Sequence, residues 1–89
     1  MKESYLEVTF RRGRALAAYY YLPRTPRQKS FRVKRLESGM PADLDRRGRL
    51  IGIEITAPGQ VSLAAMNRVL GEYGSPLLSR SEFRPLRAA

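Results

Sequence analysis

Three acidic residues have types and spacing that could support chemistry: Asp43, Asp45 and Glu54. Together they could offer oxygen ligands to a small cation. Glu54 stands between isoleucines, where loss of solvent could suit its carboxyl group to proton transfer. Simpler roles compete with both ideas, because Asp45 is well placed to begin a turn and Glu54 to face solvent or pair with an arginine. We favour these simpler roles and expect no metal site.

The sequence contains neither histidine nor cysteine. Thiol nucleophiles, Cys/His zinc sites and histidine-based acid–base catalysis are therefore excluded for these 89 residues. The glycines at 48 and 52 do not form a phosphate loop, since the lysine and the strand-to-helix context of that motif are missing. We expect no catalytic residue, no cofactor and no enzymatic activity.

The charge balance is strongly basic, with 17 Lys and Arg against 8 Asp and Glu and a formal net charge of +9. Such a chain is attracted to nucleic acid, acidic lipids or acidic proteins, although an arginine excess can also reflect codon bias in a GC-rich genome. One stretch, residues 24–35, has no acid at all. Its cations are Arg24, Arg27, Lys29, Arg32, Lys34 and Arg35.

Three consecutive tyrosines precede this basic stretch. In a strand Tyr20 points away from Tyr19 and Tyr21, so at most two rings can share a platform on which bases could stack. Rings buried in the domain or at a subunit interface, with hydroxyls at the rim, are the interpretation that we favour. Tyr19, Tyr21 and the six cations of residues 24–35 are the candidate nucleic-acid-binding residues.

Period-two patterns predict the strands that would hold these residues. Leu6, Val8 and Phe10 alternate with polar positions, and the glycine within residues 11–14 predicts a hairpin to a second strand over residues 15–22. That second strand is apolar on both faces, which predicts a central position or burial against a second copy of the chain. We therefore expect a homodimer.

The middle of the chain predicts a loop, two short strands and a turn. Residues 23–29 are a loop, and Phe31 and Val33 alternate with cations in a third strand. After a break at residues 37–39, the proline at position 41 predicts an edge position for residues 40–44, or a strand that begins after it. The sequence from Asp45 to Gly48 predicts a type I turn in a bulged hairpin loop.

The last strand and the helix have the clearest signals. Ile51, Ile53 and Ile55 are predicted on one face of a central strand, with Leu50, Gly52, Glu54 and Thr56 on the other. Ser62 predicts the start of a helix over residues 62–73, and Gly74 its end. The predicted fold is α+β: an antiparallel sheet of four to five strands, containing two hairpins, with one C-terminal α-helix packed on the isoleucine face. Residues 1–76 form one domain and 77–89 a tail or arm.

The N-terminal sequence lacks the uninterrupted apolar core of a signal peptide, and no apolar run is long enough to cross a bilayer. Without cysteine there is no disulfide to need an oxidising compartment. We expect a cytoplasmic protein that is not associated with membranes.

Several of these positions together resemble the bacterial domain of unknown function 2283. The resemblance rests on Tyr5, the segment DLDRRGRLIGIEI over residues 43–55, and the continuation through Pro58, Ser62 and Leu70, and it covers most of residues 3–74. Members commonly carry an aspartate just after the tyrosine and another a few residues later, whereas this chain has Leu6 and the basic residues 11 and 12. The resemblance implies a small sheet-plus-helix fold and no reaction.

Members of that family sometimes occur beside small toxin-like genes, so the resemblance is also compatible with an antitoxin-type role. The sequence therefore predicts a small non-enzymatic module that binds or regulates a partner protein. The alternative is a nucleic-acid-binding protein that uses residues 24–35. Phosphate-driven binding would weaken steeply with salt, whereas binding through apolar surface would not.

Overall fold

Five strands form one open antiparallel sheet in the computed structural model, which describes residues 3–36 and 40–87 apart from the side chain of Arg87. In chain order the strands are β1 (Tyr5–Arg11), β2 (Arg14–Tyr21), β3 (Arg32–Arg35), β4 (Pro41–Leu44) and β5 (Leu50–Ile55). Across the sheet their order is β1-β2-β5-β4-β3. The α+β class with an antiparallel sheet is confirmed, and β5 lies at its centre as predicted.

The first hairpin closes through a turn at Arg12 and Gly13, whose φ angles are 53° and 77°. Two successive positive φ angles match the right-handed twist of the flanking strands, which is why short hairpins use this turn. A β-bulge between Thr9 and Phe10 then shifts the register of the pair, so that Phe10 lies opposite Ala15. Beyond the bulge the period-two pattern no longer predicts burial, and Phe10 and Leu16 are exposed.

Of the two placements predicted for the fourth strand, the edge position is wrong, because β4 lies between β5 and β3. Pro41 is its first residue and lies opposite Arg35. A proline at the first position of a strand removes an amide where the ladder has only begun, so the remaining residues can still pair on both sides. The predicted break at residues 37–39 lies outside the described residues.

The predicted facing of Leu50 is also wrong. Ala42 lies opposite Ile53 and Leu44 opposite Leu50, so β5 carries one residue more than β4 between these two pairs. This bulge rotates Leu50 into the buried cluster that contains Ile53 and Ile55. Ile51 is only 1% exposed but is not part of that cluster. One inserted residue is enough to exchange the two faces of a strand.

Helix α1 (Leu63–Glu72) follows a 3-10 turn at Pro58–Gln60. As predicted, Ser62 caps it: the Ser62 hydroxyl accepts a hydrogen bond from the Ala65 amide at 3.0 Å. Gly74, with φ of 68°, ends it in the left-handed conformation. Three residues of α1 share the buried cluster with Ile53 and Ile55, namely Met66, Val69 and Leu70.

The residues after Pro76 are folded along the domain. The side-chain amide of Asn67 binds both the amide and the carbonyl of Leu78, at 2.8 and 3.0 Å. A short helix α2 (Arg80–Phe83) and a 3-10 turn (Arg84–Arg87) follow. Leu78, Phe83 and Leu86 are buried in the core. Within residues 3–36 and 40–87, no helix has the length and apolar character needed to span a membrane.

Candidate nucleic-acid interface

The hairpin turn between β4 and β5 is organised by Asp45, as the sequence predicts. The Gly48 amide donates to the Asp45 carbonyl at 3.0 Å, and Gly48 has a φ of 79°. The Oδ1 atom of Asp45 accepts hydrogen bonds from the amides of Arg47 and Arg49, both at 2.9 Å. This carboxylate therefore fixes the backbone of a turn that contains three arginines.

The second oxygen of the same carboxylate holds a distant part of the chain. Oδ2 of Asp45 accepts from Nε2 of Gln28 and from Nε of Arg49, each at 2.9 Å. Gln28 is itself held in a turn, because its Oε1 accepts from the Thr25 amide at 2.9 Å. The pKa of Asp45 lies well below its usual range, because the ionised carboxylate accepts hydrogen bonds from Gln28, Arg49 and Arg47. The loop and the turn are thus joined through one ionised side chain.

An open cleft of about 480 Å³ lies between this loop and this turn. Five cationic side chains line it: Arg27, Lys29, Arg46, Arg47 and Arg49. Among the described residues of the lining, Asp45 is the one carboxylate, and its oxygens already accept four hydrogen bonds. The cleft therefore presents a concentrated positive charge to solvent.

Phe31 is the aromatic residue of this cleft. The residue is 57% exposed, and its backbone amide donates to the Leu44 carbonyl at 2.9 Å, which fixes the backbone of Phe31 beside the sheet. The guanidinium carbon of Arg46 lies 4.9 Å from the centroid of the ring. Neither residue is predicted from the sequence as part of a site, because the pattern around Phe31 indicates a strand and the one around Arg46 indicates a turn.

The predicted basic segment is divided between different surfaces. Arg27 and Lys29 line the cleft, whereas the guanidinium of Arg24 lies 5.8 Å from the centroid of the Tyr21 ring. The remaining three cations, Arg32, Lys34 and Arg35, are exposed on the edge strand β3. The basic site is therefore not the predicted linear patch but a cleft formed by two separate segments of the chain. The run DRRGR at residues 45–49 was the sequence signal that could have indicated its other half.

The rings of three tyrosines on β1 and β2 contact one another. The rings of Tyr5 and Tyr21 are 4.5 Å apart at an interplanar angle of 19°, and those of Tyr19 and Tyr21 are 4.5 Å apart at 49°. Tyr21 thus lies between two neighbouring rings. Tyr20 is buried in the core, which confirms the predicted alternation.

Tyr19 is anchored at its hydroxyl group, which donates to Oδ2 of Asp43. The hydroxyl of Ser30 donates to the other oxygen of Asp43 at 2.8 Å. Burial, followed by the hydrogen bond to Asp43, raises the pKa of the Tyr19 phenol. The Tyr19 ring also lies against Gly52, where a Cβ atom would overlap it.

The three acids that could have bound a cation are either hydrogen-bonded to other groups of the protein or exposed on a different strand. Asp43 and Asp45 accept the hydrogen bonds described above, and Glu54 is exposed on β5, as the simpler interpretation predicts. In the described part of the chain, no three residues among His, Cys, Asp and Glu are grouped so that they could hold a metal ion.

A second open cleft, of about 700 Å³, lies at the closed end of the first hairpin. It is lined by three arginines, at positions 11, 12 and 14, together with Leu16 and the turn residues 57–60. Its described lining contains no aromatic ring. Within this described lining, no side-chain hydrogen bond links the two walls in the way that Asp45 links the walls of the first cleft.

We expect Asp45→Asn to lower the urea midpoint of unfolding at neutral pH. The new amide nitrogen would face the donors of Gln28 and Arg49, so two hydrogen bonds would be lost although a turn could still form. Because folding lowers the pKa of Asp45, its contribution is complete above about pH 4 and is lost as the pH falls. The difference from the wild type should shrink in acid. Glu54→Gln is the control, and an equal effect of both variants would contradict this role of Asp45.

We expect Gly52→Ala to destabilise the fold by about 1–3 kcal/mol, because the added methyl group would displace the Tyr19 ring. Gly59→Ala is the matched control, since nothing lies within 4 Å of the Cβ position there. Chemical denaturation measures both. In a Tyr19→Ala background the cost of Gly52→Ala should largely disappear; an unchanged cost would mean that the ring is not its cause.

No protein-family model, no characterised protein and no solved structure matches the chain. The function is therefore inferred from the chemistry of the residues around the two clefts and on the sheet.

Proposed function

We propose that this protein binds nucleic acid through the cleft between residues 25–31 and the β4–β5 turn. The observation that carries the proposal is the meeting of five cations around one carboxylate whose oxygens are already occupied. Phosphate groups suit such a cleft, because each phosphate can accept charge-assisted hydrogen bonds from several arginines.

The fixed shape of the cleft supports the same conclusion. Asp45 fixes the backbone at Arg47 and Arg49 by accepting hydrogen bonds from their amides, and Gln28 holds the facing loop in place. Cations on a fixed backbone lose less conformational freedom when they bind than cations on a flexible tail. Contacts of this kind to the phosphate backbone give affinity without reading the base sequence. We propose no catalytic activity for the protein and a cytoplasmic location.

Removing charge from the cleft should weaken binding to a fluorescein-labelled single-stranded oligonucleotide of mixed sequence. We expect the triple variant Lys29→Gln, Arg46→Gln, Arg47→Gln to raise Kd at least about tenfold at moderate salt. The slope of log Kd against log salt should fall by roughly two, since each lost phosphate contact to a single strand contributes about 0.7. Fluorescence anisotropy over a series of salt concentrations measures both quantities.

The matched control is the triple variant Arg68→Gln, Arg80→Gln, Arg84→Gln, which removes the same formal charge from exposed positions outside the cleft. Its Kd should stay within about twofold of the wild type. Equal weakening of both variants would show that net charge alone drives binding and would overturn the proposal. Absence of salt-dependent binding in the wild type would also overturn it.

A second candidate function is protein binding, including a homodimer. Phe10 and Leu16, 48% and 55% exposed, lie near the closed end of the β1–β2 hairpin and favour this candidate. Large apolar side chains exposed close together commonly mark an interface. A regulatory, antitoxin-like role would fit the resemblance to the bacterial domain of unknown function 2283, and membership of that family is part of this second proposal.

Self-association makes a separate prediction. If Phe10 and Leu16 lie at a dimer interface, sedimentation equilibrium at micromolar concentration should give twice the chain mass, and Leu16→Gln should give the monomer. Leu77→Gln, at another exposed leucine, serves as the control. A wild-type monomer over the same concentration range would contradict the homodimer.

A further inference from the structure

Phe31 is the most exposed aromatic residue in the described part of the chain. It is 57% exposed, against 48% for Phe10 and 47% for Tyr5, whereas Tyr20 and Phe83 are buried in the core. Its hydrogen bond to the Leu44 carbonyl ties it to the sheet, so its exposure does not come from a detached loop. A rigidly placed ring left in water forgoes the free energy that its burial would contribute.

The surroundings of Phe31 explain what such a ring could bind. It lies in the cleft lined by Lys29, Arg46 and Arg47, with the Arg46 guanidinium packed on the ring. Proteins that bind single strands combine these two parts, a basic groove for the phosphates and an aromatic ring for the bases. A guanidinium next to the ring adds a cation–π contribution and a second flat surface.

The tyrosines are less suited to this task. Tyr21 lies between Tyr5 and Tyr19, and Arg24 also contacts its ring, so neighbouring groups of the protein itself cover it. Tyr19 is anchored to Asp43 and lies against Gly52. These rings stabilise the sheet face by contacts with one another. Phe31 has one such aromatic or cationic contact among the described residues, that with Arg46.

We propose that Phe31 stacks on an unpaired base, so that the cleft selects single-stranded nucleic acid over duplex. This inference rests on the proposed function, because the cations must first hold the phosphates of the strand. In a duplex the faces of each base are covered by its neighbours, and Phe31 has no base face to contact. A cleft that bound only the phosphates would bind single strand and duplex without this preference.

The variant Phe31→Trp gives a direct signal, because the sequence contains no tryptophan. A mixed-sequence single strand should quench its fluorescence as a base stacks on the indole. An abasic strand of the same length, which keeps the phosphates and lacks the bases, should bind without quenching. Phe10→Trp, at a similarly exposed ring outside the cleft, is the control and should respond to neither strand.

The variant Phe31→Leu tests the energetic contribution. We expect its affinity for the single strand to fall roughly 5- to 150-fold, the range of one base–aromatic stack, while affinity for the abasic strand and for duplex stays unchanged. Phe31→Tyr should keep most of the single-strand affinity. Because residue 31 is exposed, thermal unfolding should confirm that these variants remain folded.

The outcomes separate the two proposals. If wild-type protein binds none of the three nucleic acids, the proposed function fails and this inference fails with it. If it binds all three equally and Phe31→Leu changes nothing, the phosphate site stands and the stacking role of Phe31 is overturned. Quenching by the single strand alone, together with selective weakening by Phe31→Leu, supports both.

Discussion

The candidate site depends on the carboxylate of Asp45. This group accepts hydrogen bonds from the backbone of its own turn and from the side chains of Gln28 and Arg49. Without a negative charge at this point, nothing in the described lining of the cleft would offset the repulsion between the cations of the turn and those of the facing loop. Asp45 therefore shapes the turn locally and, over a longer range, brings two basic segments of the chain together.

A second constraint acts at Gly52 on β5, where the absence of a side chain matters. Gly52 lets the ring of Tyr19 cross from β2 toward Asp43 on β4. Asp43 also accepts from Ser30, which directly precedes Phe31. The tyrosine stack and the basic cleft are thus linked through one aspartate. Of the two aspartates in the DLD segment, one holds the aromatic face and the other holds the cleft.

The features that could be predicted from sequence are local. The turn from Asp45 to Gly48 and the cap at Ser62 each depend on residues within a few positions, and the structure has both. The facing of Leu50 could not be predicted, because a β-bulge is decided by the pairing with β4 and not by β5 alone. The inner position of β4 likewise depends on β3, which supplies a neighbour that no pattern within residues 40–44 reveals.

The same distinction explains why only part of the candidate site could be predicted. Arg27 and Lys29 were visible as members of an acid-free stretch, whereas Arg46 and Arg47 joined them through the hydrogen bond between Gln28 and Asp45. That contact spans 17 positions and has no signature in either segment. Phe31 was missed for a related reason, since alternation with Arg32 predicts a buried ring only if another element covers that end of the sheet.

Composition alone does not account for this arrangement. A genome that favours arginine would scatter cations over the surface, where repulsion between them is weak, and would leave aromatic residues to the core. Here the cost of crowded cations and that of the most exposed aromatic residue in the described part of the chain occur at the same place, around Asp45 and Phe31. Natural chains tend to keep such unfavourable features where a ligand compensates for them. A ligand that neutralises the cations and covers the ring would offset both costs at once, and a strand of phosphates with accessible bases has that chemistry.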